Sequence, residues 1–285
     1  MSAIPEMRAP FGRPVRGPSA LGGDPRRFLA LTWTLAVNEF KLRFFGSVLG
    51  YLWQLMRPLM LFGVLYAVFT QFVRLGNHVR FYPAVLLTGI VIYTFFVEAT
   101  AGSIASLVDR ENLVRKIHFP RLAIPLSVVL TAYFNLALNL IAVFIFMLAS
   151  GVTPHWTWFE LPPLLLLLGV MCAGIGMLLS ALYVRFRDVK PIWEVVIQMI
   201  FYATPIIYAL ETLPSGRLQH AVMLNPLAAI IQQVRHAVID PLAANAAGAV
   251  GGGLRLLIPA GIVVAVVTVG YWYFDRQAPR IAEEL

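Results

Sequence analysis

The sequence predicts an all-α polytopic membrane protein, and three observations carry that prediction. Apolar residues make up 59% of the chain and charged residues 13%, with a mean hydropathy of +0.78; a soluble domain needs far more charge to cover its surface. Six apolar runs reach bilayer-spanning length. Most Lys and Arg residues fall in the short segments between those runs, and nothing alternates in polarity as barrel strands do.

The runs are residues 50–73, 83–107, 122–148, 161–184, 191–209 and 256–274. At about 1.5 Å per residue, each helix is long enough for a hydrocarbon core of about 30 Å. Helices are required because backbone groups in lipid must be satisfied within the segment. With the N-terminus inside, the inner segments hold sixteen Lys and Arg and the outer ones five, so both termini are expected in the cytoplasm. The organisation is then a disordered cytoplasmic tail over 1–27, a membrane domain over 28–276 and a cytoplasmic C-terminal tail over 277–285. The first residues lack the apolar core of a signal peptide.

Two further helices are predicted outside the spans. Trp33, Ala36, Val37, Phe40 and Phe44 form one stripe of a helix over 28–45. That stripe serves equally for a helix lying in the membrane interface or for one packed on its own protein. Leu227, Ile230, Ile231, Val234 and Val238 form another, with Gln232, Gln233, Arg235 and His236 assigned to the remaining surface. Asn225 and Pro226 supply its cap and first residue. This run reads as a re-entrant or interfacial helix near the outer face, joined to the last span by a Gly-rich linker over 248–253.

Several chemistries are missing from the sequence. It has no phosphate loop, no H-E-x-x-H zinc pair and no G-x-S-x-G elbow. The single Cys172 forms no intrachain disulfide, and no Cys/His cluster has metal spacing. The clear ionisable residues within the spans are Arg57, Glu98 and Glu194, fewer than an ion-coupled pump usually carries. Such a molecule borrows its energy from a partner.

The inner loop between the second and third spans reads NLVRKIHFPR over residues 112–121. Asp109, Glu111 and Asn112 favour a helix start, and Leu113, Val114 and Ile117 share one side. Pro120 stops the helix and drives Phe119 extended. Topology accounts for Arg115 and Lys116, whereas an aromatic such as Phe119 in a short cytoplasmic turn suits a protein partner. The next inner loop, RFRDVKP over 185–191, offers Asp188 as a cap for the fifth span and Arg185 and Arg187 as anchors. Pro205 removes a backbone hydrogen bond near the outer end of the fifth span, and a kink is expected there.

Five motifs in order resemble the permeases of ABC-2 type exporters, in particular those that export lipid-linked polysaccharides such as O-antigen, teichoic acid or other cell-envelope glycans. They are KLRFFGSVLGYLW (41–53) followed by RPL (57–59), the 112–121 loop, RFRD (185–188), TPI (204–206), and NPL (225–227) followed by Arg235. The likeness covers about residues 28–276. It implies the transmembrane subunit of an ATP-driven exporter in the bacterial inner membrane, working as a homodimer with two separate cytoplasmic ATPase subunits. The subunit itself would be no enzyme and hold no cofactor, since ATP and Mg would sit in the partner. By the same likeness Glu111, Asn112, Arg115, Lys116, Phe119, Pro120 and Arg121 would couple to the ATPase, beside an interface helix carrying Trp33, Val37, Phe40 and Phe44. Arg185, Arg187 and Asp188 would form the inner mouth. Pro205, Asn225, Pro226 and Arg235 would belong to an outer gate. Tyr93, Phe95, Phe96, Tyr133, Phe134, Phe201 and Tyr202 would be candidate channel aromatics, although helix packing or lipid contact is the more ordinary use of each ring. The alternatives are a permease for a drug or small lipid and an ion-coupled secondary transporter.

Overall fold

A computed structural model describes residues 24–44, 48–72, 79–116, 120–213 and 216–281. Its regular elements are helices throughout. They are α1 (Pro25–Phe44), α2 (Val48–Ala67), α3 (Tyr82–Ile104), α4 (Ser106–Asp109), α5 (Glu111–Lys116), α6 (Ala123–Ala149), α7 (Leu161–Arg185), α8 (Val189–Ala203), α9 (Gly216–Val222), α10 (Pro226–Val234), α11 (Ala246–Val250) and α12 (Leu257–Gln277). A π-helical turn, Val68–Phe72, extends α2.

The centre is α3, whose apolar stretch is 78% buried. It packs against α6 and α7, with α2 on one flank, while α12 lies along α7 and α1 along α6. This order follows from side-chain volume as well as hydropathy. A Cβ on Gly270 would stand 2.2 Å from the carbonyl oxygen of Gly174, and one on Gly174 would stand 2.8 Å from Cα of Val267. The backbones of α7 and α12 therefore meet directly, the close approach that small residues permit between helices in lipid.

Among the described residues, five helical stretches are long and apolar enough to cross a membrane: Leu52–Phe72, Tyr82–Ile104, Ala123–Ala149, Trp156–Arg185 and Gly253–Gln277. They match five of the six expected spans closely. The expected span over 191–209 is shorter as a helix, because α8 has 15 residues and ends at Ala203; that is about 22 Å, below a hydrocarbon core of about 30 Å. Thr204 is extended, φ −108° and ψ 138°, as the residue before a proline prefers. The kink expected at Pro205 is thus a stop. Residues 204–207 are all buried, and part of their backbone is satisfied locally: the Ile206 N–H donates to Thr204 O at 2.8 Å and the Tyr82 hydroxyl to Ile207 O at 2.7 Å. Irregular backbone at such a place is tolerated where protein covers it.

At the N-terminal end one boundary differs from expectation. Helix α1 begins at Pro25, inside the segment assigned to the tail, with the Arg26 N–H bonded to Asp24 Oδ1 at 2.9 Å. Asp followed by Pro is a start signal. At the other end Ala278 and Ile281 are buried, so residues 277–281 pack on the membrane domain. Residues 1–23 and 282–285 lie outside the described residues.

Candidate functional site

At one end of the bundle, α3 runs through a bend at Ala105 into α4 and then into α5, making an elbow. The Asp109 N–H donates to Ala105 O at 2.9 Å and the Val114 N–H to Arg110 O at 3.0 Å. The apolar side of α5 is used inside the protein: Val114 is buried with Leu107, Leu122 and Ile124, and Leu113 packs beside them. Asn112 is exposed and Glu111 half-buried. Pro120 is buried, and Arg121 turns inward, its Nη1 donating to the Ala278 carbonyl. Arg115 and Lys116 lie in the last turn of α5, while the expected position of Phe119 falls outside the described residues.

Arg110 holds this elbow to two other helices. Its guanidinium pairs with Glu39 of α1 and donates to Ser127 Oγ of α6 at 3.3 Å. Helix α1 is packed on its own protein along the expected stripe. Trp33 and Phe40 each meet the Phe134 ring edge-on at 5.5 Å, Ala36 is buried, and the Thr131 hydroxyl donates to Ala36 O at 3.3 Å. Val37 is half-buried, and Trp33 still exposes more than half its surface. Phe44 ends the helix. The Glu39–Arg110 link was not legible in the sequence, since only their opposite charges hint at it.

A second polar cluster lies within the bundle. Gln54 on α2 and Asn135 on α6 both donate to Glu98 on α3, at 2.7 and 2.8 Å. The amides occupy one carboxylate oxygen each, tying three helices together. Beside them a groove of about 430 Å³ is lined by Arg43, Trp53, Gln54, Arg57 and Glu98.

In the loop between α7 and α8, expected on the inner side, Arg185, Arg187 and Asp188 are all exposed. Arg185 lies over the Phe186 ring at 5.5 Å and Arg187 over Tyr183 at 5.0 Å. Asp188 occupies the N-cap of α8 but its side chain caps nothing; only its carbonyl accepts, from the Ile192 N–H at 3.2 Å. Its backbone, φ −70° and ψ −12°, is already helical, whereas a capping side chain needs an extended residue.

At the opposite end Asn225 caps α10, accepting from the Leu227 N–H at 3.0 Å. Its amide donates to Thr204 Oγ1 at 3.0 Å, with Pro205 buried next to that contact and Pro226 opening the helix. The polar side expected on α10 is covered by protein. Gln232 and Arg235 are 2% and 6% exposed, because neighbouring loops fold over them. Gln232 donates to Ala244 O at 2.7 Å, Gln233 to Glu160 at 2.7 Å and Arg235 to Glu211 at 2.8 Å. A π-helical turn, Arg235–Ile239, follows. The Gly-rich linker is partly helical too, with α11 ending at Gly251, φ +88°.

The aromatics divide. Tyr93, Phe95 and Phe96 are buried in the core, the Tyr93 hydroxyl donating to Ile197 O of α8. Tyr133 donates to Leu165 O at 2.7 Å, and Phe134 sits between Trp33 and Phe40. Phe201 packs on Tyr93 at 5.0 Å, while Tyr202 is 70% exposed. Within the protomer most of these rings serve helix packing.

Comparison with known proteins fits this architecture. The chain is 28% identical to an O-antigen export system permease protein RfbA of Klebsiella pneumoniae over 250 residues, 87% of this chain and 92% of that protein. It is 28% identical to an RfbA of Myxococcus xanthus over 206 residues, 72% of this chain and 78% of that protein. A more distant relative is the polysialic acid transport protein KpsM of Escherichia coli, 21% identical over 211 residues, 72% of this chain and 80% of that protein. Residues 30–239 match the family model for ABC-2 type transporters, and with most of the helical bundle inside that match, the chain belongs to the ABC-2 type transporter family.

Proposed function

We propose that this chain is the membrane-spanning permease subunit of an ATP-driven exporter that moves a lipid-linked polysaccharide outward across the bacterial inner membrane. The observation that carries the reading is coverage: O-antigen export permeases align over 87% of the chain and 92% of their own length. The relative named as a polysialic acid transport protein adds a second polysaccharide to those that related chains are named for. O-antigen and teichoic acid are both within that class.

Two copies of the chain would work with two cytoplasmic ATPase subunits that bind ATP and Mg. The α4–α5 elbow is the docking element in this reading, with Arg115, Lys116 and Phe119 assigned to the contact with the ATPase and the buried Pro120 behind them. Positive-inside charge puts the elbow and both termini in the cytoplasm. The sixth crossing is then α8 together with the buried segment after it, and the exposed apolar faces of α2 and α8 meet lipid or the second copy.

The test is reconstitution with the cognate ATPase in proteoliposomes. Outward movement of a lipid-linked glycan upon ATP addition is the expected result. Phe119→Ala and Arg115→Ala should lower ATP turnover by the assembled transporter; unchanged turnover would sink the docking assignment. Transport without any ATPase would favour an ion-coupled transporter, and transport of small lipids alone would favour the other alternative.

A further inference from the structure

Arg57 stands at the groove between α2 and α3. It lies five residues into the apolar stretch Leu52–Phe72, its side chain is exposed, and no hydrogen bond or ion pair joins it to any described residue. The groove's carboxylate is already engaged, because Glu98 accepts from Gln54 and Asn135. Arg43, at the same groove, is held among the described residues by Glu39 at 3.6 Å within its own helix. An arginine inside a membrane segment faces a partner or a wet pathway, because hydrocarbon is too costly for it.

The surface next to Arg57 narrows the choice of ligand. Met60, Leu61, Val64 and Val68 are exposed and follow Arg57 at i+3, i+4, i+7 and i+11, so they continue its face along α2. A guanidinium at one end of an apolar strip matches a phosphate carrying a long hydrocarbon chain. The planar fork of arginine bonds two phosphate oxygens at once. Trp53, more than half exposed at the groove, offers a flat face to the first sugar.

We propose that this groove binds the phosphate that joins lipid to glycan, with Arg57 as its principal ligand, Arg43 as the second charge and the α2 strip against the lipid chain. The proposal rests on the exporter reading for the identity of the substrate, and the phosphate chemistry stands on the groove itself.

The experiment uses the full-length chain with its ATPase in nanodiscs and farnesyl diphosphate as the probe. One set of discs is phosphatidylcholine alone; the other contains phosphatidylglycerol. Wild type is expected to bind the probe, and Arg57→Gln at least about tenfold more weakly. Arg57→Lys should recover part of the affinity, and farnesol should not compete. Because Arg57 bonds to none of the described residues, the variant should fold, which size-exclusion chromatography checks. Equal binding by wild type and Arg57→Gln overturns the proposal. Displacement of the probe by phosphatidylglycerol assigns the site to bilayer headgroups and overturns its substrate role. Separation of the two copies in Arg57→Gln with probe binding retained places the arginine at a contact between copies and also overturns it. If wild type binds the probe through Arg57 yet moves no glycan, the exporter reading fails while the phosphate site stands.

Discussion

The Asn225 side-chain amide donates to the Thr204 hydroxyl at 3.0 Å, fastening the first residue after α8 to the cap of α10. One side chain therefore does two things, since its oxygen also accepts from the Leu227 N–H. Asn225→Ala removes both contacts and should cost about 1 kcal/mol or somewhat more. Thr204→Val keeps the cap and removes only the hydroxyl that accepts from the Asn225 amide. Thermal unfolding in detergent should rank wild type above Thr204→Val and Thr204→Val above Asn225→Ala. If Thr204→Val matched wild type in both stability and export, the contact between the two residues would have no part in holding this end of the bundle.

The pair Glu39–Arg110 makes a different prediction, because it joins α1 to the elbow that precedes α5. The two side chains are 26% and 22% exposed, so water screens the pair only in part and a coupling of about 1 kcal/mol is expected. The exchange Glu39→Arg with Arg110→Glu should recover part of what each single change loses. ATP turnover by the complex is the informative readout. A stability change without any change in turnover would make the pair a brace with no share in coupling.

How much of this was legible depends on the kind of signal. Helices α6, α7 and α12 were placed within about three residues because uninterrupted apolar runs define them. The same measure misjudged α8: hydropathy counts Ile206, Ile207 and Ala209 as apolar whatever their backbone does, so the span was carried through Pro205. The stop was nevertheless written in Thr204-Pro205. Asn225-Pro226 marks a helix start, and Asp24-Pro25 is the same kind of signal at the head of α1. Burial of Gln232 and Arg235 was out of reach, because the groups they donate to, Ala244 O and Glu211, come from separate segments of the chain. The Gln54–Glu98–Asn135 cluster was half legible. Each is a polar residue in an apolar helix, but pairing across three helices has no period to find.

Packing of α7 on α12 gives a prediction independent of transport. A methyl at position 270 would penetrate the Gly174 carbonyl, whereas one at Gly261 has nothing within 4 Å. Gly270→Ala should destabilise by about 1–3 kcal/mol through forced separation of the helices. Gly261→Ala should be neutral or slightly stabilising, as alanine is the better helix former. Equal melting temperatures for the two variants would contradict the direct backbone contact.

Glu98 separates a structural carboxylate from a transport one. Its two oxygens each accept from an amide, and Asn135 Oδ1 is buried without a partner. In Glu98→Gln the new side chain keeps one acceptor and gains a donor, and that donor can reach the orphaned Asn135 oxygen once the amides reorient. The substitution should therefore cost little stability, within about 1 kcal/mol. Glu98→Leu instead leaves the Gln54 and Asn135 amides without their acceptor inside the bundle and should cost about 2–4 kcal/mol. For an ATP-driven permease, Glu98→Gln exports at close to the wild-type rate and shows no dependence on a proton gradient. For an ion-coupled transporter the same change abolishes transport. Measuring export by Glu98→Gln vesicles with ATP present, and with the proton gradient collapsed, decides between them: loss of export in the folded variant would return Glu98 to the transport chemistry and remove the structural assignment.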